Sequence, residues 1–219
     1  MEAKKGRREM KKFELTTEFI TNALGKKLFR IKALVEFGSV KAGELGGYAE
    51  KEENISQDGN AWVSDDACVY GDAKVFGNAW VYGDAWVHGN AKVSGNAKVF
   101  GNAEVSGDAC VYGDAKVFGN AWVYGDACVY GDAKVSDNAE VSGDADYALV
   151  KGFGTEFRCT TFYRDKNKKI MVNCGCFHGD LEAFRKQVKE TRSGKIAKEY
   201  LMIADLMEYH FASEDSSDE

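Results

Sequence analysis

The chain has 219 residues, 29 Lys and Arg against 35 Asp and Glu, six Cys and no Pro, for a formal net charge of −6. That length suits one compact domain or one solenoid with small flanking units. No run approaches the ~18 apolar residues of a membrane span, six cysteines are too few for a disulfide scaffold, and a reduced, cytoplasmic protein with no membrane or nucleic-acid partner is the expectation.

Residues 1–27 read as a basic N-terminal segment, partly disordered, since residues 1–12 carry six basic groups against two acidic ones. A charge run of this kind is first of all a solvated terminus. No apolar core follows it, so no secretory signal is expected. Residues 28–37, LFRIKALVEF, read as a strand, and 28–58 as an N-terminal capping strand with a first partial coil.

From Gly59 the chain is periodic: GNAWVS, DDACVY, GDAKVF, GNAWVY and so on to DNAEVS at Ser142, fourteen hexads without an insertion. Ala is third, Val fifth and Asn or Asp second in all fourteen, and Gly is first except at Asp65 and Asp137. Gly-Asx pairs are turn dipeptides because both residues tolerate positive φ. Between turns the pattern alternates with period two, which puts Ala and Val on one face and the variable residues on the other. Such short strands cannot stand alone. Corners every six residues close a coil, and stacked coils pair as parallel strands about 4.8 Å apart around an Ala/Val interior. The fold class read from residues 59–148 is therefore mainly β, a parallel β-helix. A propeller needs a period near 40, and a collagen-like or disordered chain would lack the regular valines.

These hexads resemble those of the left-handed β-helix proteins of the hexapeptide-repeat acyltransferase superfamily. The upstream run FGSVKAGELGG, the ENISQ run and the immediate passage into hexads resemble the start of YdcK-type proteins, a group of bacterial and phage hexapeptide-repeat proteins labelled acyltransferases. The segment VNCGCFHGDLEAFRKQVKET resembles modules at the ends of phage and prophage proteins. The resemblance implies a left-handed triangular solenoid of four to five coils, three hexads and 18 residues per coil. It implies a homo-oligomer, a trimer above all, and a phage or prophage accessory setting. For the enzymes of that superfamily it implies acetyl-CoA as acyl donor, with a histidine as general base at a subunit joint; for this chain the expectation is no cofactor, with acetyl-CoA and zinc as the alternatives. His88 is the one histidine of the repeat and so the candidate catalytic residue.

With an 18-residue coil, the outward residues stack into columns. The fourth positions read Trp62, Trp80, Lys98, Lys116, Lys134 on one face; Cys68, Trp86, Glu104, Trp122, Glu140 on the next; Lys74, Lys92, Cys110, Cys128 on the third. The sixth positions add Tyr82, Phe100 and Phe118 in one column and Tyr70, His88 and Tyr124 in another. Twelve outward aromatics exceed what ladder stacking explains and point to an interface or ligand surface. The candidates are Trp62, Trp80, Trp86, Trp122, Tyr82, Phe100, Phe118 and Tyr124. Lys98, Lys116 and Lys134 form a like-charge column that could hold a small anionic ligand, with the turn carboxylates Asp114 and Asp132 expected to relieve it. A host protein is the other partner such a surface suits.

Residues 149–211 read as a ββαα module and 212–219 as an acidic disordered tail. The hairpin is EFRCTTFY, a DKNKK turn and IMVNCGCF; one helix follows Gly179-Asp180 to about Arg192, and a second runs from about Lys195 to Phe211. Cys174, Cys176 and His178 alternate on one strand, with Cys159 on its partner, a set that could make a tetrahedral zinc site. Small buried thiols are the plainer reading. Nothing interrupts the hexads to shape an acceptor pocket, and no downstream coil carries proline or arginine suited to a CoA phosphate. The residues thus favour a non-catalytic binding or interaction protein, with acyl-CoA-dependent acyl transfer as the alternative.

Overall fold

Each hexad turns at its first two residues, a Gly-Asx pair except at Asp65-Asp66 and Asp137-Asn138, and runs extended only at its fourth and fifth residues. A computed structural model describes residues 11–212; what the sequence led one to expect of residues 1–10 and 213–219 lies outside the described residues. Three N-terminal strands come first, β1 (Phe13–Thr21), β2 (Lys27–Ala33) and β3 (Leu45–Ala49). The hexads then give fourteen two-residue strands in chain order, from β4 (Trp62–Val63) and β5 (Cys68–Val69) to β17 (Glu140–Val141).

Strands 18 residues apart pair in parallel, so the columns read from the sequence are those observed. Trp80 pairs with Lys98, Glu104 with Trp122, and Cys110 with Cys128. The molecule is thus a parallel β-solenoid, mainly β, with a short helical part at its C-terminal end. The inward Ala and Val of every hexad, from Ala61 and Val63 to Ala139 and Val141, are at most 2% exposed. Each buried valine contributes of order 1.5 kcal/mol before chain entropy is subtracted. Backbone groups are satisfied between coils, as where Trp80 N–H donates to the Ala97 carbonyl at 2.9 Å. At one corner Asn60 donates to Asn78, and Asn78 to Asn96, each at 3.1 Å.

The N-terminal cap begins earlier than the sequence suggested. β1 falls inside residues 1–27, and it pairs antiparallel with β2 through Phe13↔Ala33 and Thr21↔Lys27. Its alternation is hard to read because a register shift lies between Leu15 and Phe19. β3 then pairs in parallel with β5, Tyr48 beside Cys68, so the cap continues one solenoid face as an eight-stranded sheet. Phe13 and Phe37 meet the Trp62 ring edge-on at 6.4 and 5.4 Å. Gly46 is required there, since a Cβ would stand 2.5 Å from the Val63 carbonyl oxygen and 2.6 Å from the Trp62 ring.

Lys12 is sealed into this cap, 4% exposed, its Nζ donating to the Ala61 carbonyl at 2.9 Å. Burial lowers its pKa from 10.5 to about 8, and the nearby Asp58 carboxylate only partly opposes that. Between those two values the unfolded chain binds more protons than the folded one, so Lys12 makes stability rise with pH in that window. Thermal unfolding from about pH 7 to about pH 10 should show this rise in wild type relative to Lys12→Met, which lacks the titrating group. Parallel pH profiles for the two proteins would refute the assignment.

The C-terminal module has four strands where two were expected. β18 (Tyr147–Phe153), β19 (Arg158–Arg164), β20 (Ile170–Cys174) and β21 (Phe177–Asp180) form an antiparallel meander, followed by α1 (Leu181–Thr191) and α2 (Gly194–His210). Asp180 caps α1, its carboxylate accepting from Ala183 N–H at 2.8 Å. Phe162 and Val172 pack under the helices with Phe184, Val188, Ile203 and Met207, while Leu206 is 58% exposed. The other sheet face lies on the last coil. Tyr163 is fully buried in the solenoid core cluster, Asn173 donates to the Lys134 carbonyl at 3.0 Å, and Lys134 N–H donates to Thr161 Oγ1 at 2.9 Å. Both ends of the β-stack thereby carry a cap, which blunts the coil edges that invite polymerisation.

Candidate functional site

The outward columns are the first place to look, and the structure divides them. Trp62 is not a surface residue: it is 1% exposed, under the N-terminal cap. Tyr70 is also buried, at 6%. Tyr82, Phe100 and Phe118 stack face to face at 4.8 and 5.0 Å with interplanar angles of 2° and 3°. They are half-buried, each ring spent largely on its neighbour. Trp80 is half-buried as well and packs against the core.

What remains open is narrower. Trp86 and Trp122 are 38% and 44% exposed, in one column with Glu104 between them and Glu140 beyond. The adjoining column ties this face together: His88 Nε2 lies 2.9 Å from Glu104 Oε1, Tyr124 donates to Glu140 at 3.0 Å, and Trp122 Nε1 reaches Ser106 at 3.4 Å. Tyr124 leans on Trp122 with centroids 4.8 Å apart. The Glu140 carboxylate, first, and burial raise the Tyr124 pKa, so its phenol stays a donor. Neighbouring strands hold these rings, and hydrogen bonds hold the polar edges of His88, Trp122 and Tyr124. On another face Phe76, Tyr112 and Tyr130 are 41%, 41% and 44% exposed, and no candidate had been placed there. Their sixth-position column was visible in the repeat but mixed with serine.

His88 is held on two sides. It stacks on Tyr70 at 4.7 Å and 9°, and Glu104 occupies its Nε2. Lys98, Lys116 and Lys134 do form a paired column, but the expected relief is absent: Asp114 accepts from Asn96, and Asp132 pairs with Lys151 at 2.5 Å.

The four proposed zinc ligands are not brought together. The chain reverses at Gly175-Cys176, so β21 pairs back on β20 with Asn173 opposite His178 and Cys174 opposite Phe177. Paired residues share a face, which puts His178 and Cys174 on opposite faces of the sheet. Cys176 is exposed in the turn, and Cys174 accepts from Thr160 Oγ1 at 3.1 Å. His178 contacts Asp137 and Tyr163 instead. Among the described residues no group of three or more His, Cys, Asp or Glu could hold a metal ion. No helix among them is long and apolar enough to cross a membrane.

Residues 73–89 match a family model described as the YdcK beta solenoid repeat. Together with the solenoid itself, this match supports a repeat β-helix family. No curated protein matches the chain.

Proposed function

We propose that the chain is a non-catalytic binding and interaction protein that works through the face bearing Trp86 and Trp122. The observation that carries this is two tryptophans about 40% exposed on a flat, internally hydrogen-bonded sheet, a surface of the kind that closes against another protein. The first partner is another copy of the same chain, in the trimer that the sequence resemblance implies; a host protein met in a phage or prophage setting is the other.

Light scattering behind size exclusion tests it. Wild type should elute at three times the chain mass, and Trp86→Ala/Trp122→Ala at the chain mass as a folded monomer. A wild-type monomer at every concentration would remove self-association from the reading. Acyl transfer is kept as a second reading on one ground, that Glu104 orients His88 as an acid orients a general base. Titration with acetyl-CoA should be silent for a scaffold; saturable heat lost in His88→Ala would favour transfer instead.

A further inference from the structure

The arginines of the described residues divide by partner. Arg185 bridges Glu182, Asp205 and Glu208, Arg164 reaches Asp146 and the Phe211 carbonyl, and Arg30 reaches Asp66 and the Tyr48 hydroxyl. Arg158 and Arg192 have no carboxylate in ion-pair range among the described residues; Arg192 reaches only the Thr191 carbonyl, at 3.4 Å. Both line the same cavity, of about 220 Å³, between the β20–β21 turn and the two helices.

The cavity is built rather than incidental. Its floor is apolar, from Phe177, Phe184 and Val188, the last two only 3% and 4% exposed. Tyr200 closes one side, its hydroxyl donating weakly to the Phe153 carbonyl at 3.3 Å. Gly175 lies beside Arg158: a Cβ there would stand 2.5 Å from Nη1 and push the tip of that side chain aside. One carboxylate, Glu156, also lines the cavity, so two cations face one anion. A guanidinium pair above an apolar floor is a recognition site for carboxylate or phosphate oxygens attached to an apolar body. The volume lies below the ~300 Å³ at which drug-sized pockets begin, which limits that body to about one ring or a short acyl chain.

We propose that this cavity binds a small organic anion, with Arg158 and Arg192 gripping its carboxylate or phosphate group and Phe177, Phe184 and Val188 holding its apolar body. The site is separate from the Trp86 and Trp122 face and does not depend on it.

Calorimetric titration of the full chain with phenyl phosphate, benzoate, inorganic phosphate and benzyl alcohol tests the site. Phenyl phosphate or benzoate should bind saturably, and whichever binds more tightly names the head group. Inorganic phosphate and benzyl alcohol, each lacking half of the ligand, should bind at least tenfold more weakly. Arg158→Gln and Arg192→Gln should each weaken the aromatic anion about tenfold or more without shifting the unfolding temperature, because both side chains are exposed. Cys176, exposed and lining the cavity, adds a second reading: bound phenyl phosphate should slow its alkylation. No saturable binding by either aromatic anion overturns the site. So does binding that both substitutions leave unchanged, binding of inorganic phosphate as tight as that of phenyl phosphate, or alkylation of Cys176 unaffected at saturation.

Discussion

Trp62→Ala should lower stability by about 3–5 kcal/mol, the range for truncating a large buried aromatic, whereas Trp122→Ala should cost under about 1 kcal/mol. The two residues occupy equivalent fourth positions in their hexads, so the repeat pattern alone predicts equal effects. They differ in what lies over them. Trp62 is 1% exposed beneath Phe13, Phe37 and the β3 backbone at Gly46, while Trp122 is 44% exposed. Removing Trp62 leaves a void between the first coil and its cap that the rigid strands cannot close. A loosened cap also bares the pairing edge of the first coil, so the variant should aggregate on heating sooner than wild type. Chemical denaturation of the three proteins gives the stabilities; equal losses for the two variants would mean that the cap does not pack as described.

The second large effect is expected at a corner. Gly95 has φ +67°, and a Cβ on it would lie 2.9 Å from both the N and O of Gly113 in the next coil. Gly95→Val should therefore cost about 3 kcal/mol or more, adding the strain of a β-branched residue at positive φ to a clash with backbone that cannot swing aside. Gly95→Asn carries the same Cβ but tolerates positive φ, so it should cost less than the valine, about 2 kcal/mol. The chain already shows why: Asp65 sits at the equivalent first position with φ +57°, and its carboxylate accepts from Gly83 N–H at 3.0 Å. Denaturant melts of both variants separate the causes. A valine tolerated as well as asparagine would show that the coils part easily at their corners.

The solenoid was legible because translation by 18 residues maps the core onto itself, so composition at one hexad position dictates burial at all of them. Reading failed where a non-repeating segment intervenes. Trp62 looked like Trp80 and Trp122, and nothing within its own hexad says that Phe13 and Phe37, far off in sequence, cover it. The Cys174–His178 alternation assumed an extended strand, but Gly175, at φ +62°, turns the chain back and sends the two residues to opposite faces. A lone glycine inside a strand pattern was the available signal for that turn. The exposed face was legible as a column but not as a network, since the pairing of His88 with Glu104 depends on rotamers that spacing does not fix. The basic cavity was not legible at all: Arg158 and Arg192 line one cavity only because the meander and α1 fold over one another.

Because both caps grip particular faces of the stack, chain length here acts as an angular setting as well as a linear one. The N-terminal cap continues the face of Cys68, and the C-terminal module takes hold at Lys134 and Asn138. Adding or removing three hexads would change the separation of the two ends by one coil, about 4.8 Å, and leave their mutual orientation intact. A single hexad would instead swing one end by a third of a turn. Repeat number thus acts as a dial: whole coils set reach, single hexads set heading, and the cavity beside α1 turns with it while Trp86 and Trp122 keep their place relative to the N-terminal cap.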